Sequence, residues 1–145
     1  PVRELHMTDY AGDVTSEEAW RVLKDDASAV LVDVRTRPEW AFVGSPNLGE
    51  AGKAVVPISW QVFPAMDVNP AFVDEVAAAG ATPDSKIYFL CRSGVRSRAA
   101  AIAMTAAGYS NCFNISGGFE GDLDGDQHRG SAGGWKAAGL PWVQS

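Results

Sequence analysis

The feature that most constrains the fold is a short apolar run followed by a turn and an alanine-rich run. Ile87 to Leu90 is rich in branched and aromatic residues, which is typical of a buried strand, and the small-residue run that ends at Ala107 predicts a helix. Cys91 therefore lies on the turn between them. At this edge of an α/β sheet, unpaired amides and the positive end of the helix dipole attract anions. A thiol in that place is a candidate nucleophile.

The composition of the turn supports this interpretation. Gly94 permits backbone torsions that let consecutive N–H groups converge into an anion-binding nest. Arg92, Arg96 and Arg98 add positive charge, although at most two of them are expected to face inward. Amide donors and positive charge both favour the thiolate. The alternative is a buried structural cysteine, but a core thiol has no use for three arginines.

These residues carry a resemblance to a known family. The run Cys91-Arg92-Ser93-Gly94-Val95-Arg96 has the form C-x-x-G-x-R and resembles the active-site loop of the rhodanese family of sulfurtransferases. Other segments resemble that family's signatures in the same order and extend the likeness over about residues 13 to 142: Leu31-Val32-Asp33-Val34-Arg35, Pro38-Glu39-Trp40, Gly108-Tyr109, Asn114-Ile115-Ser116-Gly117-Gly118-Phe119 and a late Gly-Leu-Pro-Trp.

The resemblance implies a reaction and a set of roles. Cys91 would take a sulfane sulfur from a small anionic donor such as thiosulfate, hold it as a persulfide, and pass it to cyanide, a small thiol or a protein cysteine. Asp33 and Arg35 are expected to form a structural ion pair or cap, and the resemblance gives them a supporting role near the site. The predicted donor-binding residues, through loop amides and guanidinium groups, are Arg92, Ser93, Gly94, Val95, Arg96 and Ser97.

Two other functions remain open. A Cys-dependent phosphatase or arsenate reductase on a related fold has a longer loop, with its arginine six positions after the cysteine. Here position 97 is Ser97 and the arginine is Arg96, so loop length favours sulfur over a phosphoryl group. A non-catalytic rhodanese-like binding module is the other alternative, and the intact basic loop around Cys91 argues against it.

Several chemistries lack the residues that they need. The two histidines, His6 and His128, are in an N-terminal arm and a late loop, which does not favour an imidazole beside the thiol. Two scattered cysteines and two scattered histidines predict no metal site, and the absence of a Walker or dinucleotide glycine fingerprint predicts no nucleotide cofactor. The net charge of -6 argues against nucleic acid as a partner.

The chain of 145 residues fits one domain, and no apolar run reaches the roughly 20 residues needed to span a bilayer. Two cysteines make no disulfide framework, which predicts a reducing compartment and hence the cytoplasm. Alternating strand and helix signals predict an α/β fold, a single rhodanese-like domain over residues 1–145 with a mainly parallel central sheet and helices on both faces.

Individual elements are predicted as follows. A capping box that begins at Thr15 starts one helix, Pro38 lies in the first turn of a second, and residues 71–79 form a third. Strands are expected over residues 29–34, 54–58 and 111–115, the last with Cys112 as a structural thiol. Trp60, Val62, Phe63 and Met66 are expected in the core or a pocket wall.

For three segments of the chain, no helix or strand is predicted. Residues 1–12 form an arm of uncertain structure, and residues 44–53 form a loop that is longer than the compact turn usual in the resembling family. Residues 120–134 form a long glycine- and aspartate-rich loop that we expect to border the active site and limit access to it. A brief helix follows it, over residues 135–139.

Overall fold

The computed structural model describes residues 10–62, 65–92, 94–121 and 134–143. The strands are β1 (Gly12–Val14), β2 (Val30–Asp33), β3 (Ser45–Pro46), β4 (Val56–Pro57), β5 (Gln61–Val62), β6 (Asp67–Val68), β7 (Ile87–Leu90), β8 (Cys112–Ile115) and β9 (Trp142–Val143). The helices are α1 (Ser16–Asp25), α2 (Arg37–Phe42), α3 (Phe72–Ala78), α4 (Val95–Ala106) and α5 (Gly134–Ala137).

The central sheet contains five of these strands, all parallel, in the order β1-β8-β7-β2-β4. The strand before Cys91 therefore lies in the middle, with β2 on one side and β8 on the other. Because parallel strands end at the same edge of a sheet, the segments after β2, β7 and β8 meet at one place. The predicted mainly parallel α/β fold is confirmed.

The sheet is covered on both faces, as its continuous apolar strands require. Side chains of β7 alternate: Ile87 and Phe89 point to one face, Tyr88 and Leu90 to the other. The first face packs against α3 and α4 through Phe72, Val76, Ala100, Ala101 and Met104. The second face packs against α1 and α5 through Ala19, Trp20, Leu23 and Trp135. Cys91 belongs to the first face.

Two helix starts follow the sequence signals closely. At α1 the Thr15 hydroxyl accepts a hydrogen bond from the Glu18 amide at 3.1 Å, and the Glu18 carboxylate accepts one from the Thr15 amide at 3.0 Å. Helix α2 has Pro38 in its first turn, where a missing N–H costs nothing. The predicted capping box and the predicted proline position are confirmed.

The structure departs from the sequence prediction in short pairings. The arm of uncertain structure ends in β1, which pairs with β8 through Gly12 opposite Phe113. The predicted loop over residues 44–53 contains β3, which pairs with β9 through Ser45 opposite Val143. Strands of two or three residues have too little sequence for a periodic signal, so only their distant partners define them.

Some predictions lie outside the described residues: the arm up to residue 9, Phe63, Ser93 and residues 122–133. Within the described residues, no helix is long and apolar enough to cross a membrane.

Candidate active site

The Cys91 turn is held at the carboxyl edge of the sheet by the segment that follows β8. The amide of Phe119 donates to the Cys91 carbonyl at 2.8 Å, and the amide of Glu120 donates to the Arg92 carbonyl at 3.0 Å. Gly118 makes this approach possible, because a Cβ there would lie 2.5 Å from the Arg92 carbonyl oxygen. Its φ of 64° also lies in the left-handed region that favours glycine.

The thiol of Cys91 is 1% exposed and lies among polar partners. The Gly94 amide donates to Sγ at 3.0 Å, and the Ser97 hydroxyl oxygen lies 3.2 Å from Sγ. Gly94 has a φ of 108°, and a Cβ there would overlap the carbonyl oxygen of Ser116. The positive torsion expected at Gly94 is therefore present, and it turns the amide toward the sulfur.

Arg96 is paired with a carboxylate that the sequence did not connect to it. Its two terminal nitrogens donate to Glu39 of α2 at 2.7 and 2.8 Å, and Glu39 also accepts from the amide and hydroxyl of Thr36 at 3.1 and 3.0 Å. Burial would raise the pKa of Glu39, but the hydrogen bonds and charge of Arg96, with the Thr36 donors, lower that pKa to about 2.

The same contact acts on the arginine. Hydrogen bonding to Glu39 raises the pKa of Arg96, burial opposes this, and the charges of Glu39, Cys91 and Asp33 add to the increase. Arg96 therefore remains charged within range of the thiol. Two of its five N–H groups are used by Glu39, which leaves three for other partners.

A cavity of about 350 Å³ opens beside this ion pair, and Arg92, whose side chain is exposed, lines it. The full lining is Glu39, Val43, Met66, Arg92, Arg96 and Glu120. Val95 is 77% exposed on the turn. Arg98 is exposed and interacts with the hydroxyl of Tyr10. The structure thus brings Arg92 and Arg96 together at one cavity and places Arg98 beside Tyr10, which precedes β1.

Asp33 and Arg35 form the buried ion pair expected from the sequence. Arg35 donates to the two carboxylate oxygens of Asp33 at 2.9 and 2.7 Å, and to the carbonyl of Gly44 at 2.7 Å. Its guanidinium carbon lies 4.3 Å from the centre of the Phe119 ring. The pair therefore joins the end of β2 to the segment after α2 and to the segment that covers the Cys91 turn.

Three polar residues at the site had no assigned role in the sequence analysis. Glu39 contacts Arg96, Asn114 contacts Ser97, and Asp13 contacts Asn114. The available signal was weak: Asn114 is a polar residue in an otherwise apolar strand, and it is completely buried. Within the described part of the chain, no group of three or more His, Cys, Asp or Glu residues is placed to hold a metal ion.

Comparisons with known proteins find similar proteins over most of the chain. An uncharacterized protein of Rickettsia conorii is 42% identical over 130 residues, which cover 89% of this chain and 94% of that protein. The crystal structure of Rv0390 from M. tuberculosis has a TM-score of 0.85 and 44% identity, covering 94% of this chain and 99% of its own. The thiosulfate sulfurtransferase GlpE of Haemophilus influenzae is 28% identical over 109 residues, which cover 75% of this chain and 85% of that protein.

The family comparison covers nearly the whole chain. The model of the STR4 middle domain, a rhodanese-like family, matches residues 11–145. That range includes the central sheet, the Cys91 turn and the segments that hold it. The chain therefore belongs to the STR4 middle-domain family of rhodanese-like proteins.

Proposed function

We propose that this protein is a sulfurtransferase that carries sulfane sulfur as a persulfide on Cys91. The Cys91 thiolate attacks the outer sulfur of a donor such as thiosulfate. A Cys91 S–S bond forms, the S–S bond of thiosulfate breaks, and sulfite leaves with the electron pair. A thiophilic acceptor, such as cyanide or a thiolate, then attacks the terminal sulfur and releases the Cys91 thiolate. Two transfers regenerate the starting enzyme without a redox cofactor.

The observation that carries the proposal is the donor set at the sulfur. The Gly94 amide donates to Sγ at 3.0 Å at the start of a helix, and the charged Arg96 lies within electrostatic range. Fixed donors aimed at a developing negative charge stabilise it without reorganisation. The proposed persulfide bears the same kind of charge on sulfur, so the turn suits both the nucleophile and the intermediate.

Two arginines would bind the sulfur donor, and they differ in how many of their N–H groups already have partners. Arg96 keeps three N–H groups beyond its bonds to Glu39, and Arg92 presents an exposed guanidinium to the same cavity. Together they provide paired N–H donors for the oxygens of a small anion. Glu39 and Glu120 in the lining limit the net positive charge, so the cavity favours an anion of low charge over a polyanion.

The phosphatase alternative has less support. In the related phosphatases an arginine six positions after the cysteine would supply N–H donors to the transferred phosphoryl group. In this chain that position is Ser97. Ser97 is completely buried, with its hydroxyl against the sulfur and against Asn114. The loop therefore has a buried serine hydroxyl beside the thiol at the position where the phosphatase loop has its arginine.

The test is the intact mass of the protein after incubation with thiosulfate and removal of the excess. We expect wild-type protein and Cys112→Ser to gain the mass of one sulfur atom, and both to lose it when cyanide is added, with formation of thiocyanate. Cys91→Ser should gain nothing. A sulfur gained by Cys91→Ser, or none gained by folded wild-type protein from thiosulfate or polysulfide, would contradict the proposal.

The same samples distinguish the other chemistry. An aryl phosphate should be hydrolysed at the rate of buffer alone, both by wild-type protein and by Cys91→Ser. Hydrolysis that depends on Cys91 would favour a phosphatase.

A further inference from the structure

A buried chain of hydrogen bonds runs from the sulfur of Cys91 to the edge of the sheet. The Ser97 oxygen lies 3.2 Å from Cys91 Sγ and 2.5 Å from the Oδ1 of Asn114. The Nδ2 of Asn114 donates to Asp13 at 3.0 Å. Ser97 and Asn114 are both completely buried, so bulk solvent does not contact either of them. Only the last residue, Asp13, is exposed.

Asp13 fixes which way the amide of Asn114 faces. An ionised carboxylate only accepts hydrogen bonds, so the NH₂ group of Asn114 must point toward Asp13. The hydroxyl of Tyr10 donates to the same oxygen of Asp13 at 2.8 Å and holds the carboxylate in place. The carbonyl oxygen of Asn114 is therefore the atom that faces Ser97.

Because of this orientation, the single hydroxyl proton of Ser97 is used in the hydrogen bond to Asn114. A carbonyl oxygen has no proton, so the bond between Ser97 and Asn114 must use the proton of Ser97. Ser97 then presents a lone pair to Cys91, which suits an S–H donor. A thiolate gains a second donor from Ser97 only if the hydroxyl turns its proton toward sulfur, and this leaves the buried Asn114 oxygen without a donor, which costs free energy.

We propose that Asn114 is a positioning residue that acts through Ser97: it fixes the direction of the Ser97 hydroxyl and so restrains the reactivity of the Cys91 sulfur as a nucleophile. The inference rests on the proposed function only in taking Cys91 as the nucleophile. Asn114 works against the Gly94 amide, which favours the thiolate. The Cys91 sulfur thus has the Gly94 amide as a hydrogen-bond donor on one side. On the other side lies the Ser97 hydroxyl, whose proton is used by Asn114.

The charged groups around the sulfur act separately from this chain. Arg96 of α4 lies within electrostatic range of the thiol and is paired with Glu39 of α2. Asp33 of β2 is paired with Arg35. Arg92 follows Cys91 in the turn, and Asp13 of β1 reaches the sulfur through Asn114 and Ser97. Substituting Asn114 by leucine changes none of these charges, so its effect reports on the hydrogen bonds.

The experiment is the rate at which iodoacetamide alkylates Cys91 in the full chain between pH 5 and 10, followed by peptide mass. Asn114→Leu keeps the branching at Cγ and has no acceptor, so it frees the Ser97 proton for sulfur. We expect the midpoint of the profile to fall by about one pH unit, a tenfold gain in reactive thiolate below the midpoint. Asn114→Asp places a stronger acceptor beside Ser97 and should raise the midpoint.

A Ser97→Ala background separates the relay from general effects. With the hydroxyl removed, Asn114→Leu should produce no shift of its own. Asp13→Ala, at an exposed position, frees the amide of Asn114 to turn and should lower the midpoint; in Ser97→Ala only the effect of the lost charge should remain. This variant keeps the test decisive if Asn114→Leu does not fold.

The outcomes that overturn the inference are an unchanged or higher midpoint in folded Asn114→Leu, or equal shifts with and without Ser97. If Asn114→Leu does not fold, the Asp13→Ala variant decides. A shift of its alkylation midpoint that is equally large with and without the Ser97 hydroxyl would also overturn the inference. Alkylation needs no sulfur donor, so these results are independent of the persulfide test. If the variants show the expected midpoint shifts but no persulfide forms, the proposed function is wrong and the role of Asn114 still stands.

Discussion

Cys91 and Cys112 are equally buried but have opposite surroundings. Both belong to the apolar cluster on one face of the sheet, with exposures of 1% and 0%. The sulfur of Cys91 accepts a hydrogen bond from the Gly94 amide at 3.0 Å. The sulfur of Cys112 donates to the Tyr109 carbonyl at 3.5 Å. The fixed backbone group beside Cys91 is an N–H donor, and the one beside Cys112 is a carbonyl acceptor.

Burial alone therefore does not distinguish the two thiols. Burial raises the pKa of Cys112 to about 11, against a smaller opposing effect of the Thr105 hydroxyl. The predicted structural role of Cys112 agrees with this. Cys91 is just as inaccessible, but it lies at a strand end where a glycine amide and an arginine face it. Position in the fold, and not depth, separates the two cysteines.

The largest expected effect comes from exchanging each sulfur for oxygen. Cys91→Ser should reduce thiosulfate:cyanide sulfurtransferase activity to background, because no other thiol lies in an anion-binding setting. Cys112→Ser should keep its turnover once corrected for folded protein. Steady-state formation of thiocyanate measures both. Equal losses in the two variants would remove the distinction between the cysteines.

The next effect concerns the backbone that brings the amide to Cys91. Gly94→Ala must place a Cβ against the Ser116 carbonyl at a φ of 108°, whereas Gly108→Ala has a φ of 106° with nothing within 4 Å. We expect about 1 kcal/mol of lost stability at Gly108 and about 2–4 kcal/mol at Gly94, because strain and overlap add there.

Urea unfolding of both glycine variants gives the comparison. Gly108→Ala is the matched control, since the torsion is nearly the same and only the neighbour differs. Similar losses at the two positions would mean that the segment after β8 moves away freely, and that the contact does not hold the Cys91 turn.

A third effect concerns the charge near Cys91 and its dependence on pH. The pKa of Glu39 is about 2 in the folded protein against the ordinary 4.5, so its ionised form stabilises the fold above pH 4.5. Glu39→Gln should lower the free energy of unfolding by about 2–3 kcal/mol at pH 7. The difference from wild type should shrink as the pH falls from 4.5 toward 2.

Denaturant unfolding at several pH values measures this difference. Glu50→Gln, at an exposed carboxylate in a short 3₁₀ turn, is the control and should change little. A loss at Glu39 that is as large at pH 2.5 as at pH 7 would show that the ion pair with Arg96 is not its source.

The smallest effect compares two arginines of the same helix. Arg96→Ala should lower kcat/KM for thiosulfate roughly ten- to a hundredfold, which corresponds to a charge-assisted bond of about 1.5–3 kcal/mol. Arg98→Ala should change it far less, because Arg98 is exposed and interacts with Tyr10. Similar effects would mean that the general field of the turn, and not contact by Arg96, attracts the donor.

The local parts of the fold were predictable from the sequence because their signals lie within a few residues. The capping box at Thr15, the proline start of α2, the apolar strand before Cys91 and the torsion at Gly94 all depend on near neighbours. The strands β1 and β3 were not predictable. Each is defined by its partner, and β3 lies almost a hundred residues from β9 along the chain.

The sequence alone therefore predicts a cysteine between a buried strand and a helix, beside a glycine and several arginines. The tertiary structure decided which side chains share those groups. Glu39 reaches Arg96 across 57 residues, and Asp13 reaches Asn114 across 101. The first contact arises because the segments after parallel strands meet at one edge of the sheet, and the second because β1 pairs with β8 with Asp13 opposite Asn114. The spacing of these residues along the chain does not predict such contacts.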